Sequence, residues 1–186
     1  MIRCLITNGT FSRDPECWMA YVARWIGEGV ELVQIREREL TARDLAELTR
    51  QVLRIPNPHG TKILINDRAD VATACGAHGV HLRDGSVAPE VFSRPEFLVT
   101  VACHSIDDAV RTAGADYVLL APIFAPLSKE DQRPALGTEA IREFTRRSLT
   151  PVLALGGITN ENVAACLEAG AAGIAGISFF ETPSPR

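Results

Sequence analysis

A short unit recurs along this chain, in which a glycine that ends a helical segment is followed by a tight turn and an apolar strand. The unit is found at residues 76–82, 114–120 and 170–177, and residues 29–33 carry a looser version of it. Glycine suits the left-handed conformation in which many helices end, so each unit predicts a passage from a helix into a strand. A chain built from such units alternates helix and strand.

Strand-like and helix-like segments do alternate along the sequence. Besides the opening run, the strand candidates are residues 31–35, 62–65, 79–82, 98–102, 117–121, 152–155 and 173–177. The helix candidates are residues 17–27, 42–53, 69–75, 106–113, 138–147 and 161–169. This alternation predicts a parallel sheet with right-handed crossovers. Because eight strands close a barrel, we expect an α/β fold of the (β/α)8 TIM barrel type rather than an open doubly wound sheet.

We expect one barrel domain over residues 1–186 that lacks a full final helix. Only residues 179–186 follow the last strand candidate, and Pro183 and Pro185 among them disfavour a helix. A barrel flank without its last helix exposes apolar surface, which a second copy of the chain could cover. A homodimer is therefore one expectation.

Composition and charge exclude several classes of protein. A net charge of −4 gives no general attraction to nucleic acid. No apolar run approaches the roughly 20 residues that span a membrane, and the N-terminus resembles a first strand rather than a signal peptide. The five cysteines are scattered, without zinc-site spacing or a disulfide framework. We expect a cytoplasmic protein with no nucleic-acid or membrane partner.

The second strand candidate ends in alternating polar residues, Gln34, Arg36 and Arg38. Alternate residues share one face of an extended chain, so an amide and two guanidinium groups would converge on an anion if that face is the mouth of the barrel. The alternative is a solvated run of charge at the start of a loop.

Two further strand candidates also end in polar groups. Asn66 and Asp67 follow the third strand, where Asp67 is either a metal or ligand contact or the N-cap of the next helix. His104 follows the fifth strand, where it is either an acid/base, because its pKa lies near neutrality, or a structural histidine.

A glycine pair marks the seventh strand end. Gly156 and Gly157 lead towards a helix, an arrangement that suits a phosphate group. The next strand ends in Ile177 and Ser178, and barrel enzymes frequently bind phosphate at these two strand ends. The alternative for the glycines is a tight turn. Lys129 lies in a long loop after the sixth strand, where it could close over the phosphate or be an exposed lysine.

These motifs together resemble the thiamine phosphate synthase/TenI family of (β/α)8 barrels, from about residue 6 to residue 178. The family motifs occur in order as Q-x-R-x-K at residues 34–38, I-N-D at 65–67, G-V-H-L at 79–82, G-A-D-Y-V at 114–118 and G-G-I at 156–158. The synthase joins a thiazole phosphate to an aminopyrimidine pyrophosphate. Magnesium and basic groups hold the leaving pyrophosphate, and the resemblance places Asp67 as a metal ligand.

Several family positions differ here. Arg38 replaces the lysine of the first motif, and Ala102 replaces a serine on the fifth strand. The second magnesium carboxylate falls on Ser86, although a shifted alignment offers Asp84. A single carboxylate is a weak site for magnesium that holds a pyrophosphate.

The changed segments resemble the TenI branch of thiazole tautomerases. Its I-R-E-R, S-G-S and V-H-S motifs correspond to residues 35–38, 84–86 and 103–105. The resemblance implies a tautomerase with His104 as acid/base and no cofactor. It also implies substrate contacts to Gln34, Arg36, Arg38, Asn66 and Lys129, and phosphate contacts to Gly156, Gly157, Ile177 and Ser178.

Two alternatives remain open. The chain is a magnesium-dependent thiamine phosphate synthase with a substituted metal site, or a non-catalytic protein that binds thiazole or thiamine phosphates as a regulator. In each case the partner is a small phosphorylated thiazole compound.

Overall fold

Eight parallel strands close into a barrel in the computed structural model, which describes residues 1–125 and 134–181. The strands are β1 (Ile2–Ile6), β2 (Leu32–Ile35), β3 (Lys62–Asn66), β4 (Gly79–Leu82), β5 (Leu98–Cys103), β6 (Tyr117–Leu120), β7 (Val152–Ala154) and β8 (Gly173–Gly176). Strand β1 pairs with β8, with Leu5 beside Gly176, and this pairing closes the ring. The predicted (β/α)8 barrel is confirmed.

The helices lie between the strands. They are α1 (Pro15–Gly27), α2 (Ala42–Leu53), α3 (Ala69–Cys75), α4 (Gly137–Arg147), α5 (Val163–Glu168) and α6 (Ser178–Glu181). Side-chain caps fix where helices α1 and α2 begin. The Asp14 side chain accepts a hydrogen bond from the backbone N–H of Cys17, and Thr41 caps α2 by accepting from Asp44.

Three helix predictions need correction. Helix α1 begins at Pro15, two residues before the predicted start at residue 17. The segment after β5 is a 3₁₀ helix over Ile106–Arg111, shorter and tighter than the predicted α-helix, although Ser105 caps it as expected. Helix α5 begins at Val163, two residues later than predicted. The reason is Asn162, whose side chain bonds to the backbone N–H of Thr159 and to the carbonyl of Gly157 and so holds the preceding loop.

Apolar side chains fill two layers. Inside the barrel lies a small cluster of buried residues, and these are Cys4, Ile6, Leu32, Leu119, Leu153 and Ala175. The larger layer lies between the strands and the helices and includes Cys103 and Cys166. Burial raises the pKa of the Cys103 thiol to about 12, so this cysteine beside His104 packs as an apolar residue.

The described part of the chain ends in a single helical turn. Helix α6 covers four residues, and residues 182–186, on which the prediction about a full final helix also depends, lie outside the described residues. Its Phe180 is buried and meets the Trp25 ring edge-on, with ring centroids 5.0 Å apart. Among the helices of residues 1–125 and 134–181, none has the length and apolarity to cross a membrane.

Candidate active site at the carboxyl-terminal mouth

Polar side chains from β2 and β3 meet at the carboxyl-terminal mouth of the barrel. The Nε2 group of Gln34 donates a hydrogen bond of 2.9 Å to Oδ1 of Asn66. Gln34 is only 2% exposed, and within the described residues its Oε1 atom has no hydrogen-bond partner. Since leaving a buried acceptor unpaired costs about 1–3 kcal/mol, this oxygen is a position where the N–H group of a ligand would bind favourably.

Arg36 and Arg38 occupy different environments. Arg36 directly follows β2 and is half-buried, and its backbone N–H donates to the Thr7 hydroxyl at 2.8 Å. Arg38 is exposed in the turn that follows and lines a cleft of about 180 Å³ with Asn66 and Asp67. The expected alternation therefore does not continue as a strand beyond Ile35.

Beneath the mouth lies His81 of β4, with its Nδ1 atom 2.8 Å from the hydroxyl of Thr100. Burial, together with the nearby charges of Arg36 and His104, lowers the pKa of His81 to about 3. The imidazole is therefore neutral at physiological pH. The charges of Arg36 and His104 both act on this ring, so both side chains lie near His81.

Asp67 is not the N-cap of the helix that follows it, because Arg68 occupies that position. Asp67 has a backbone φ of +58°, and its N–H donates to the carbonyl of His81 at 2.7 Å. Its carboxylate pairs with Arg83 at 2.8 Å and accepts a hydrogen bond of 3.3 Å from the hydroxyl of Ser86. The N-cap alternative is wrong, and the carboxylate faces the β4 loop.

Asp84 lies apart from this pair. Its carboxylate is 3.5 Å from the Arg111 guanidinium, and both side chains are more than half exposed. The side chain that contacts Asp67 is therefore that of Ser86, whereas the carboxylate of Asp84 contacts Arg111.

The chemistry of this donor set limits how it can hold magnesium. Within residues 1–125 and 134–181, no three His, Cys, Asp or Glu side chains gather in a metal-binding group. Magnesium is usually held by one or two carboxylates, with substrate phosphates and waters as further ligands. The residues present fit magnesium as an ion shared between Asp67 and a phosphorylated substrate.

His104 directly follows β5, and the structure fixes its ring. The Nδ1 atom lies 2.9 Å from the carbonyl oxygen of Ala121. A carbonyl can only accept, so Nδ1 carries the proton and Nε2 of the neutral ring is left with a lone pair. The loop is held from below by Asp108, which accepts from the N–H groups of His104 and Ser105. Burial opposes ionisation of Asp108, but these bonds and Arg111 outweigh it and lower its pKa.

The glycine loop after β7 packs tightly against the segment after β6. A Cβ atom on Gly157, where φ is +61°, would lie 2.5 Å from the carbonyl oxygen of Ala125. Backbone hydrogen bonds from Ile123 to Leu155 and from Phe124 to Gly156 hold the two segments together. Only glycine fits this backbone conformation at residue 157. The tight turn that was the alternative prediction for the glycine pair is therefore present.

The other predicted phosphate contacts lie on the neighbouring strand. Ile177 follows β8 and is half-buried, while Ser178 is exposed and begins α6. Helix α5 starts only after Asn162, so backbone N–H groups of the loop, rather than a helix start, would face a phosphate. Lys129 lies outside the described residues. The phosphate role of these residues stays a prediction.

Glu37 is a functional candidate that the sequence did not reveal. It lies between two arginines, which suggests a solvated charge, yet it is 6% exposed and bonded to the side chains of Thr7 and Trp18. One signal was available in the sequence. If the alternation of β2 is extended past Ile35, residue 37 falls on the face opposite Arg36, towards the helices.

An eight-stranded barrel with such polar groups at its carboxyl-terminal mouth defines the class of (β/α)8 barrel enzymes, whose active sites lie at that mouth. Within this class, the chain belongs to the family described as thiamine monophosphate synthase, whose model it matches over residues 4–180.

Similar proteins and structures agree with this membership. The chain is 38% identical over 169 residues to the "Putative thiamine-phosphate synthase 2" of Aquifex aeolicus, covering 89% of this chain and 90% of that protein. It is 40% identical over 156 residues to the "Thiamine-phosphate synthase" of Methanoregula boonei, covering 81% and 72%. The solved structure of thiamine phosphate pyrophosphorylase from Pyrococcus furiosus superposes with a TM-score of 0.80 at 26% identity, covering 95% of this chain and 85% of that chain.

Proposed function

We propose that this protein is a thiamine phosphate synthase that joins a thiazole phosphate to an aminopyrimidine pyrophosphate. Relatives that bear the name of this activity are 38–41% identical over four-fifths or more of the chain. This reverses the order of the sequence-based alternatives, in which the tautomerase came first. The comparisons support the synthase better than the tautomerase.

The observation that carries the proposal is the unpaired carbonyl oxygen of Gln34. A buried acceptor at the mouth calls for a donor on the substrate, and the amino group of an aminopyrimidine is such a donor. A thiazole phosphate carries no comparable N–H group. The Gln34 site therefore supports a reaction in which the pyrimidine is one of the substrates.

Other residues of the mouth bind the pyrophosphate and the thiazole phosphate. Arg36 and Arg38 meet the negative charge that develops on the pyrophosphate as its bond to the pyrimidine's methylene carbon breaks. The N–H groups around Gly156 and Gly157, with Ser178, hold the thiazole phosphate on the opposite side of the mouth. Magnesium, when bound through Asp67 and the pyrophosphate oxygens, would neutralise part of the leaving group's charge.

The test is a transfer assay with both substrates, with and without magnesium. The proposal predicts formation of thiamine phosphate and pyrophosphate that depends on magnesium. A Gln34→Leu variant, which keeps a similar side-chain size and removes both the unpaired acceptor and the donor to Asn66, is expected to lose at least about tenfold in kcat/KM. Absence of product at high protein concentration would reject the synthase.

The thiazole tautomerase is the second candidate, and His104 is the observation in its favour. With Nδ1 held on the Ala121 carbonyl, Nε2 is available to take a proton from a dihydrothiazole and return it elsewhere. Ser86 beside Asp67 also supports this reaction, because isomerisation expels no pyrophosphate and needs no second carboxylate.

One variant separates the two reactions. His104→Gln removes the proton-transfer group, so the tautomerase predicts loss of isomerisation with the affinity for thiazole phosphate retained. A wild-type protein that isomerises a dihydrothiazole carboxylate phosphate but forms no thiamine phosphate would favour this candidate. Binding of thiazole phosphate without turnover of either substrate set would instead favour the regulatory protein.

The homodimer also stays a proposal, and light scattering tests it.

A further inference from the structure

Glu37 is a buried residue whose carboxylate accepts four hydrogen bonds. Its Oε1 atom accepts from the Thr7 hydroxyl at 2.8 Å, from the indole N–H of Trp18 at 2.9 Å and from the backbone N–H of Gly9 at 3.2 Å. Its Oε2 atom accepts from the backbone N–H of Phe11 at 3.0 Å. All four partners are donors, which suits a carboxylate and no other side chain of this size.

The Thr7 hydroxyl connects Glu37 to the backbone of Arg36 at the mouth of the barrel. Thr7 is fully buried, and its oxygen also accepts from the backbone N–H of Arg36 at 2.8 Å. A carboxylate oxygen accepts, so the Thr7 hydroxyl donates its one proton to Glu37 while its oxygen accepts from the Arg36 N–H. The hydroxyl oxygen of Thr7 therefore takes part in both hydrogen bonds, and it links the backbone N–H of Arg36 to the buried Glu37 carboxylate.

We propose that Glu37 is a positioning residue that, through Thr7, sets the backbone of Arg36 so that its guanidinium can bind an anionic substrate group at the mouth. The inference deepens the proposed function, because it relies on Arg36 as the anion contact of that site. Arg36 lies beyond the last strand residue, Ile35, where no sheet pairing fixes the chain. A contact placed about 1 Å away from its productive position can cost on the order of a hundredfold in rate.

The test uses binding of inorganic pyrophosphate by calorimetry, so that it does not depend on turnover. Glu37→Gln places an amide N–H2 against a donor and leaves Phe11 or the Thr7 group unpaired, and we expect affinity to fall about tenfold or more. Thr7→Val removes the link and should do the same, whereas Thr7→Ser keeps the hydroxyl and should restore most of the affinity.

A matched control separates positioning from loss of stability. Thr49 on α2 is also a buried threonine, and its hydroxyl donates to the Leu45 carbonyl within its own helix. Thr49→Val is expected to lower the thermal midpoint without changing pyrophosphate affinity. If Glu37→Gln does not fold, the comparison of Thr7→Val with Thr7→Ser still tests the inference.

A double-mutant cycle gives the sharpest readout. In an Arg36→Ala background, Glu37→Gln should change pyrophosphate affinity by less than about twofold, because the residue it positions is absent. An undiminished effect in that background would overturn the inference, and so would wild-type affinity in a folded Glu37→Gln variant. A wild-type protein that binds no pyrophosphate would overturn it too. A failed transfer assay would instead reject the proposed reaction, while this titration would still decide the role of Glu37.

Discussion

The hydroxyl oxygen of Ser86 lies 3.3 Å from a carboxylate oxygen of Asp67. Asp67 follows β3 and Ser86 lies in the loop after β4, so two neighbouring strand ends supply one acidic and one neutral oxygen group. Magnesium affinity rises with the number of negatively charged ligands. We therefore expect this pair to determine how strongly the mouth would hold a magnesium ion before a substrate binds.

Ser86→Asp is expected to lower the magnesium concentration needed for half-maximal pyrophosphate binding by about tenfold, because it adds a second carboxylate beside Asp67. The measurement is a pyrophosphate titration at a series of magnesium concentrations. Ser93→Asp is the control, since Ser93 is exposed and lies towards the amino end of β5. Equal effects of the two variants would show that general charge, rather than the Asp67 pair, is responsible.

Arg83→Ala should also strengthen magnesium binding. The Arg83 guanidinium occupies one oxygen of Asp67 at 2.8 Å, and it competes there with a cation. Arg83 is 74% exposed, so its loss should change the free energy of unfolding by less than about 1 kcal/mol. Arg24→Ala, which breaks another exposed ion pair at 2.7 Å on α1, should leave magnesium binding unchanged. Unaltered magnesium dependence in Arg83→Ala would contradict the competition.

Gly157→Ala is expected to destabilise the protein and to weaken phosphate binding. The new Cβ would meet the Ala125 carbonyl and Phe124, and the backbone φ of +61° adds strain. Gly60→Ala is the control, because φ there is +76° but nothing lies within 4 Å of a Cβ. Thermal unfolding should show an extra loss of about 1–3 kcal/mol for the Gly157 variant. Similar losses in both variants would mean that the packing against the β6 segment is unimportant.

The buried His81 predicts that stability depends on pH. Its pKa is lowered to about 3 in the folded protein, so between that value and 6.5 the unfolded chain binds the proton and the folded chain does not. The contribution of His81 is complete above pH 6.5 and is lost as the pH falls through this window. The slope attributable to this group is at most about 1.4 kcal/mol per pH unit.

Urea unfolding at about pH 5 and about pH 7 measures this difference. His81→Gln removes the titrating ring and can keep a hydrogen bond to Thr100, so its free energy of unfolding should vary less between the two conditions. His59→Gln, at an exposed histidine, should retain the wild-type difference. The interpretation fails if the wild type and His81→Gln show the same pH dependence.

The barrel could be predicted from sequence because its signals are local. Glycine turns and apolar runs repeat with each unit, and the predicted strands at 62–65 and 79–82 differ from β3 and β4 by no more than one residue at either end. A helix was predicted over residues 106–113, but its 3₁₀ geometry and its end at Arg111 were not, because the spacing of its apolar residues is the same as that of a longer α-helix.

The candidate site was predictable only in part. Gln34, Asn66 and His104 were found because each follows or ends a strand, and strand ends share the mouth of a barrel. Glu37 and Arg83 were missed because their partners come from distant segments, Thr7 and Trp18 for one and Asp67 for the other. No local pattern encodes such contacts. That a charged side chain is buried becomes evident only when the three-dimensional positions of its hydrogen-bond donors are known.

The transfer assay tests the central claim most directly. Purified protein is supplied with thiazole phosphate and aminopyrimidine pyrophosphate, and thiamine phosphate is measured with magnesium and with a chelator present. The account predicts product with magnesium, little product with the chelator, and a large loss in Gln34→Leu. Isomerisation of a dihydrothiazole carboxylate phosphate without any thiamine phosphate, at high protein concentration and saturating magnesium, would contradict it.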